Sequence, residues 1–172
     1  MNGKLTLVLG GAASGKSAWA EERVENLGLP MIYIATAEAG DGEMSDKIAR
    51  HRARRGPGWE TLEHPLSPEG ALRDLSESRA VLLDCATMWL TNHLVRESDL
   101  ARAEARLLDG LAACRADVTV VTNEVGQGIV PENALARSFR EAQGRLNIRL
   151  AQAADTVVQV VAGLPVVLKG QP

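Results

Sequence analysis

One octapeptide constrains this chain more than any other feature. "GGAASGKS", residues 10–17, follows the apolar run "LTLVLG" (5–10) and precedes a helix-like stretch, "SAWAEERVENLG" (17–28). It fits G-x-x-x-x-G-K-[ST], with Gly10, Gly15, Lys16 and Ser17 at the fixed positions, in the strand–loop–helix context that the motif requires. Glycines let successive backbone N–H groups turn inward around a phosphate without Cβ clashes. The helix that follows adds its positive end. Lys16 would reach the β- and γ-phosphates of a nucleoside triphosphate, and the Ser17 hydroxyl would ligate Mg²⁺. Residues 10–17 (Gly10, Gly11, Ala12, Ala13, Ser14, Gly15, Lys16, Ser17) are therefore expected to bind nucleotide.

A phosphate loop of this kind needs a parallel sheet behind it, and the rest of the chain supplies one. "MIYIATA" (31–37), "AVLLDCA" (80–86) and "VTVVTNE" (118–124) are short, continuous apolar runs, as strands buried on both faces read. Amphipathic stretches at 67–79, 100–114 and 133–155 alternate with them, and "TMWLTNHL" continues the third run as a helix. Ser67–Pro68 reads as a cap and first-turn pair and Gly28 as a helix stop; the alternative for "TNEVGQGIVPEN" is a structural turn entering the long helix, with Pro131 at its first turn. The tail "TVVQVVAGLPVVLKG" reads as a hairpin about "AGLP". The expectation is one α/β domain over residues 1–172, mainly parallel and doubly wound, with ligands at the carboxyl ends of its strands.

Composition narrows the partners. With 45% hydrophobic and 24% charged residues the chain is ordinary for a globular protein, and a net charge of −3 argues against broad binding to nucleic acid or anionic membrane. No apolar run approaches a membrane span and the N-terminus carries no secretory signal, so the cytoplasm is expected. Cys85 and Cys114 are too few for a disulfide framework, match no zinc spacing and read as buried thiols.

A second magnesium ligand is expected at another strand end, where "VLLDC" offers Asp84. The alternative is that Asp84 caps the following helix. The guanine signature N-K-x-D is missing, since "TNEVG" (122–126) lacks its Lys and Asp. That disfavours a switch GTPase, and the charge balance disfavours a nucleic-acid motor. A small-molecule kinase fits, but leaves one local feature unexplained.

That feature is "KIARHRARRG", residues 47–56. On a helix, Lys47, His51 and Arg55 fall at i, i+4 and i+8, with Arg50 and Arg54 on the neighbouring row. Nearby cations disfavour imidazolium, leaving His51 neutral with a ring nitrogen able to attack phosphorus. The arginines would offset the charge of an α-phosphate and of departing pyrophosphate. The bland alternative is a solvated basic face. His64, before Pro65, and His93, beside Trp89 and Leu90, rank lower as nucleophiles.

The strings "GGAASGKS", "YIATA", "IARHRARR", "TNEVGQGIVPEN" and "GRLNIRLAQAAD", with "VVQVVAGLP", occur in this order over nearly the whole chain. Together they resemble the bifunctional adenosylcobinamide kinase / adenosylcobinamide-phosphate guanylyltransferase family of cobalamin biosynthesis. The resemblance implies a RecA-like P-loop NTPase fold, a homotrimer, Mg²⁺ as cofactor, and ATP or GTP plus a corrinoid as substrates. It implies phosphorylation of the aminopropanol hydroxyl of adenosylcobinamide, then guanylylation of an enzyme histidine by GTP and passage of GMP to the cobinamide phosphate. The family's guanylylated histidine falls on His51. Its nucleotide contacts fall on residues 10–17, on Ala35, Thr36 and Ala37, on Arg52, Ala53, Arg54 and Arg55, and on Glu63 and Asp84. Arg50 stands where some relatives carry His, so that position cannot be essential as a histidine; Ala13 stands where relatives often carry a basic residue, and no side-chain role is assigned to it. "TNEVGQGIVPEN" is expected to contact the corrinoid or a neighbouring subunit, and Trp59 is either a stacking platform or a packed tryptophan.

Overall fold

The computed structural model describes residues 3–38 and 55–171. Strand β1 (Leu5–Gly10) leads through the glycine loop into helix α1 (Lys16–Glu25), then to β2 (Met31–Ala35) and β3 (Trp59–Glu63). Helix α2 (Pro68–Asp74), β4 (Ala80–Asp84), α3 (Ala86–Val95), α4 (Leu100–Ala113) and β5 (Asp117–Asn123) follow. The long helix α5 (Ala134–Ala153) and the strands β6 (Thr156–Val161) and β7 (Leu164–Lys169) end the chain. Among the described residues the seven strands form one sheet in the order β3-β2-β4-β5-β1-β6-β7, parallel throughout except for the β6–β7 hairpin.

Alternation along each strand sends side chains to two cores. Leu5, Leu7, Ile32, Ile34, Val81, Leu83, Val118, Val120 and Val157 pack with Trp89 and Leu90 of α3, Leu107 of α4, and Leu146 and Leu150 of α5. On the other face Val8, Tyr33, Leu82, Val121 and Val158 meet Ala20 and Val24 of α1. Burial on both faces is what makes the inner strands read as unbroken apolar runs.

The structure shortens several expected elements for local reasons. Helix α1 stops at Glu25 and closes through Leu27 and Gly28, the latter at φ +67°, where an L side chain would be strained. Helix α2 ends at Asp74, because Leu75 is extended, and Ser67 starts it without a side-chain cap bond. The first turn of α5 lies beyond Pro131: Asn133 is the cap, its Oδ1 accepting from the Leu135 and Ala136 amides. Strand β3 is absent from the sequence reading, since its run "WETLE" carries two glutamates and forms a half-exposed sheet edge.

Candidate functional site

The predicted residues that lie within the described ones gather at the carboxyl edge of the sheet. Strand registry puts Glu63 beside Ala35, Ala35 beside Asp84, and Asp84 beside Val121. Gly10 pairs with Asn123, and the Glu124 amide donates to the Gly10 carbonyl at 3.0 Å.

The loop after β1 is shaped by its backbone. Ala13 (φ 54°) and Gly15 (φ 92°) are left-handed, the alternation that turns neighbouring N–H groups to one side as an anion nest. Gly15 is the N-cap of α1 and no side chain caps this helix end, leaving its first amides to a phosphate. Lys16 Nζ donates to the Gly11 carbonyl at 3.0 Å, which brings the ammonium back across the loop. A Cβ on Gly10 would lie 2.5 Å from Ser14 Oγ and 2.7 Å from the Val160 carbonyl, whereas one on Gly11 would meet nothing within 4 Å. Gly10 thus serves packing, and Gly11 faces open space. Ser14 Oγ is buried without a hydrogen-bond partner, as suits a donor awaiting a ligand oxygen.

The loop is propped from behind by the C-terminal hairpin. The Gly163 amide donates to the Ser14 carbonyl at 2.8 Å, and a Cβ on Gly15 would come within 3.0 Å of Gly163 Cα. Ala162 (φ 51°) and Gly163 (φ 79°) form the two-residue turn with both central residues left-handed, the type whose twist suits a tight hairpin.

Asp84 ends β4, and its Oδ2 accepts a 3.0 Å hydrogen bond from the Tyr33 hydroxyl. It is not the cap of α3. That position belongs to Cys85, whose Sγ accepts from the Met88 amide at 3.4 Å. Burial, reinforced by the Asp84 carboxylate, pushes the Cys85 thiol up to about 12. Burial also raises the Tyr33 phenol, with Asp84 as the next cause, which keeps the hydroxyl a donor.

Thr36 is fully buried, and its Oγ1 both donates to the Cys85 carbonyl and accepts from the Cys85 amide, each at 2.7 Å. Asn92 Nδ2 donates to the Thr36 carbonyl at 2.8 Å. Thr36 therefore ties the ends of β2 and β4 together, while Ala37 is half-buried beside it. Of the basic stretch, His51, Arg52, Ala53 and Arg54 lie outside the described residues. Arg55 lies within them, 7% exposed, with its guanidinium carbon 3.2 Å from the Tyr33 ring centroid. Its Nη1 is buried with no hydrogen-bond partner, a donor suited to a phosphate oxygen.

His93 and Trp59 have packing roles. His93 is buried, edge-on to Trp89 at 4.6 Å, with Nε2 3.0 Å from the Leu66 carbonyl. The His64 amide continues the β3 ladder by donating to Ala35. Trp59 meets Tyr33 edge-on at 6.3 Å and donates from Nε1 to Glu25 Oε1 at 3.4 Å, the arrangement of a packed tryptophan.

Two supports escaped the sequence reading. Thr87 Oγ1 accepts from the Asn123 amide at 2.9 Å. Asn147 donates from Nδ2 to the Asn123 carbonyl at 3.0 Å, while its Oδ1 accepts from Thr122 Oγ1 (2.7 Å) and Gln143 Nε2 (2.8 Å). The available signal was polar residues, Gln143 and Asn147, at i and i+4 on the buried face of α5. Beyond them the loop of residues 124–133 is largely exposed, Ile129 at 97%, with Arg140 donating to the Gly126 carbonyl. Among the described residues no group of three or more His, Cys, Asp or Glu side chains could hold a metal ion. Mg²⁺ does not require one, since it commonly takes one or two protein oxygens plus phosphates. A serine hydroxyl (Ser17) and a hydrogen-bonded carboxylate (Asp84) at one sheet edge are the hard donors that fit it.

The geometry has counterparts among known proteins. The RadB recombinase shares the fold over 92% of this chain and 74% of its own, at TM-score 0.53 and 18% identity. A bifunctional adenosylcobalamin biosynthesis protein, CobP of Pseudomonas aeruginosa, is 45% identical over 169 residues, covering 96% of this chain and 98% of its own. The proteins called CobU in Salmonella typhimurium and Escherichia coli, also bifunctional adenosylcobalamin biosynthesis proteins, are 41% and 40% identical, with 96% of this chain and 99% of each relative covered. Residues 6–168 match the model of one family from phosphate loop to C-terminal hairpin, and the chain belongs to it: cobinamide kinase / cobinamide phosphate guanyltransferase.

Proposed function

We propose that this chain carries out two successive transfers on one corrinoid. In the first, the aminopropanol hydroxyl of adenosylcobinamide attacks the γ-phosphorus of ATP or GTP, and the bond to the β-phosphate oxygen breaks to release the diphosphate. In the second, a neutral ring nitrogen of His51 attacks the α-phosphorus of GTP and pyrophosphate leaves. A phosphate oxygen of adenosylcobinamide phosphate then attacks the same phosphorus, the P–N bond breaks, and adenosylcobinamide-GDP forms with His51 restored.

The observation that carries this reading is the meeting of three features at one sheet edge: the phosphate loop, Asp84, and Arg55 at the end of the basic stretch. His51 precedes Arg55 by four positions in the sequence. Backbone amides of residues 10–17 and Lys16 would hold the β- and γ-phosphates, with Ser14 Oγ as a further donor. Arg52, Arg54 and Arg55 would stabilise charge on the α-phosphate and on pyrophosphate. Ala35, Thr36, Ala37, Ala53 and Glu63 are assigned as further nucleotide contacts; Thr36 is fully buried, with hydroxyl, amide and carbonyl bonded to Cys85, Asp84 and Asn92, so its part is to hold its neighbours Ala35 and Ala37 in place. Mg²⁺ held by Ser17 and Asp84 would neutralise phosphate charge as it develops. We place both reactions in the cytoplasm, on a homotrimer, with neither nucleic acid nor a membrane as partner. The exposed loop of residues 124–133 would meet the corrinoid or a second subunit.

His51→Ala tests the reading by separating the two activities. Phosphoryl transfer needs no protein nucleophile and should largely survive, whereas guanylyl transfer should vanish. Wild-type protein given α-labelled GTP should retain label that acid removes and alkali does not, and γ-labelled GTP should leave none. Uptake of GMP by His51→Ala would sink the assignment.

A further inference from the structure

Tyr33 is the only tyrosine of the chain and lies on the otherwise aliphatic strand β2. Its ring belongs to the core on the α1 face, edge-on to Trp59. Arg55 lies over the same ring. Tyr33 pairs with Leu82 across the sheet, so Asp84, two residues further along β4, projects from the same face, within diagonal reach of a long side chain. The hydroxyl takes that diagonal and ends 3.0 Å from Asp84 Oδ2. A phenylalanine would fill the same core volume and offer Arg55 the same face. Only the hydroxyl calls for tyrosine, and the hydroxyl touches the one strand-end carboxylate assigned to the metal.

We propose, resting on the reading of the site given above, that Tyr33 is a positioning residue: its hydroxyl sets the orientation of the Asp84 carboxylate toward a divalent cation. Its ring, held under Arg55, ties that orientation to the end of the basic stretch. An aspartate carboxylate turns freely about a broad terminal torsion unless something holds it. Hydrogen bonds to metal-ligating carboxylates commonly govern metal affinity in this way.

The test uses the full chain as wild type, Tyr33→Phe, Asp84→Asn and the double variant. The first readout involves no turnover: the Mg²⁺ concentration giving half-maximal binding of a fluorescent non-hydrolysable GTP analogue. Tyr33→Phe should raise that concentration about tenfold, the lower end of what losing such an outer partner causes. The maximal phosphorylation rate at saturating Mg²⁺ should stay within about twofold of wild type, as for loss of a binding rather than a transition-state contact. In the Asp84→Asn background Tyr33→Phe should add no further shift, because the two groups act as one unit. An unchanged Mg²⁺ requirement in Tyr33→Phe overturns the proposal, and so does a shift of equal size with Asp84 already replaced. If wild type itself binds the analogue without regard to Mg²⁺, the metal role of Asp84 and this proposal fall together. Acid-labile labelling of His51 is a separate measurement, decided on its own.

Discussion

At the residue scale, the junction of Asp84 and Cys85 does several things in two positions. Asp84 offers its side chain to Tyr33 and its carbonyl to the Thr36 amide at 3.2 Å. Cys85 exchanges backbone hydrogen bonds with Thr36 Oγ1 and caps α3 with its thiol. The thiol has a measurable signature. It is raised from 9.0 to about 12 in the fold, so over that interval the unfolded chain has lost a proton that the native chain keeps. Its contribution to stability is therefore complete below 9.0 and is lost as pH climbs toward about 12. Cys85→Ser, which keeps a cap acceptor, should show a shallower fall in unfolding free energy between about pH 7.5 and about pH 10.5 in urea melts. Cys114 is shifted upward as well and is common to both proteins, so the difference isolates Cys85. Parallel profiles would show that the Cys85 thiol is not protected.

At the scale of elements, what positions the site is a set of braces between strand ends. Asn147 on α5 holds the end of β5 where Asn123 faces Gly10. Asn147→Ala would leave the Thr122 hydroxyl and the Gln143 amide buried without their shared acceptor, costing about 1–3 kcal/mol. A lowered Tm with weakened nucleotide binding is expected, and a melting temperature equal to wild type would show the brace to be idle. The sequence disclosed the strand–loop–helix around Lys16 because a fixed motif and an apolar run coincide there. It disclosed Asp84 because a lone carboxylate ended an apolar strand. It hid β3, since an edge strand with Glu60 and Glu63 lacks the buried pattern, whereas the long helix was legible from Asn133, the residue that caps it. The partnership of Tyr33 with Asp84 was hidden for another reason: 51 positions separate them, and only strand registry brings them together.

At the scale of the molecule, the C-terminal hairpin is anomalous. Every residue of β7 is exposed, including Leu164 at 69%, Val166 at 48%, Val167 at 46% and Leu168 at 56%, and Val161 of β6 adds 52%. An apolar strand at a sheet edge invites association unless something covers it. The proposed homotrimer would supply that cover. Leu164→Glu with Val166→Glu should lower the mass found by sedimentation equilibrium. The melting temperature of the subunit should stay near that of a monomeric control, because exposed substitutions alter stability by only about 0.5 kcal/mol. Unchanged mass in the double variant would place the contact elsewhere.

The same hairpin decides when the nucleotide site can exist. Strand β1 lies inside the sheet between β5 and β6, and the loop after it leans on Val160 and Gly163. The phosphate loop must therefore wait for a hairpin that is made about 150 residues later. At about 5–20 residues per second, the roughly 150 residues from Gly10 to Val160 take on the order of ten to thirty seconds to synthesise. Throughout that interval the nascent chain carries its phosphate-binding sequence without the cradle, and only once Val160 and Gly163 have been made can it begin to hold a nucleotide.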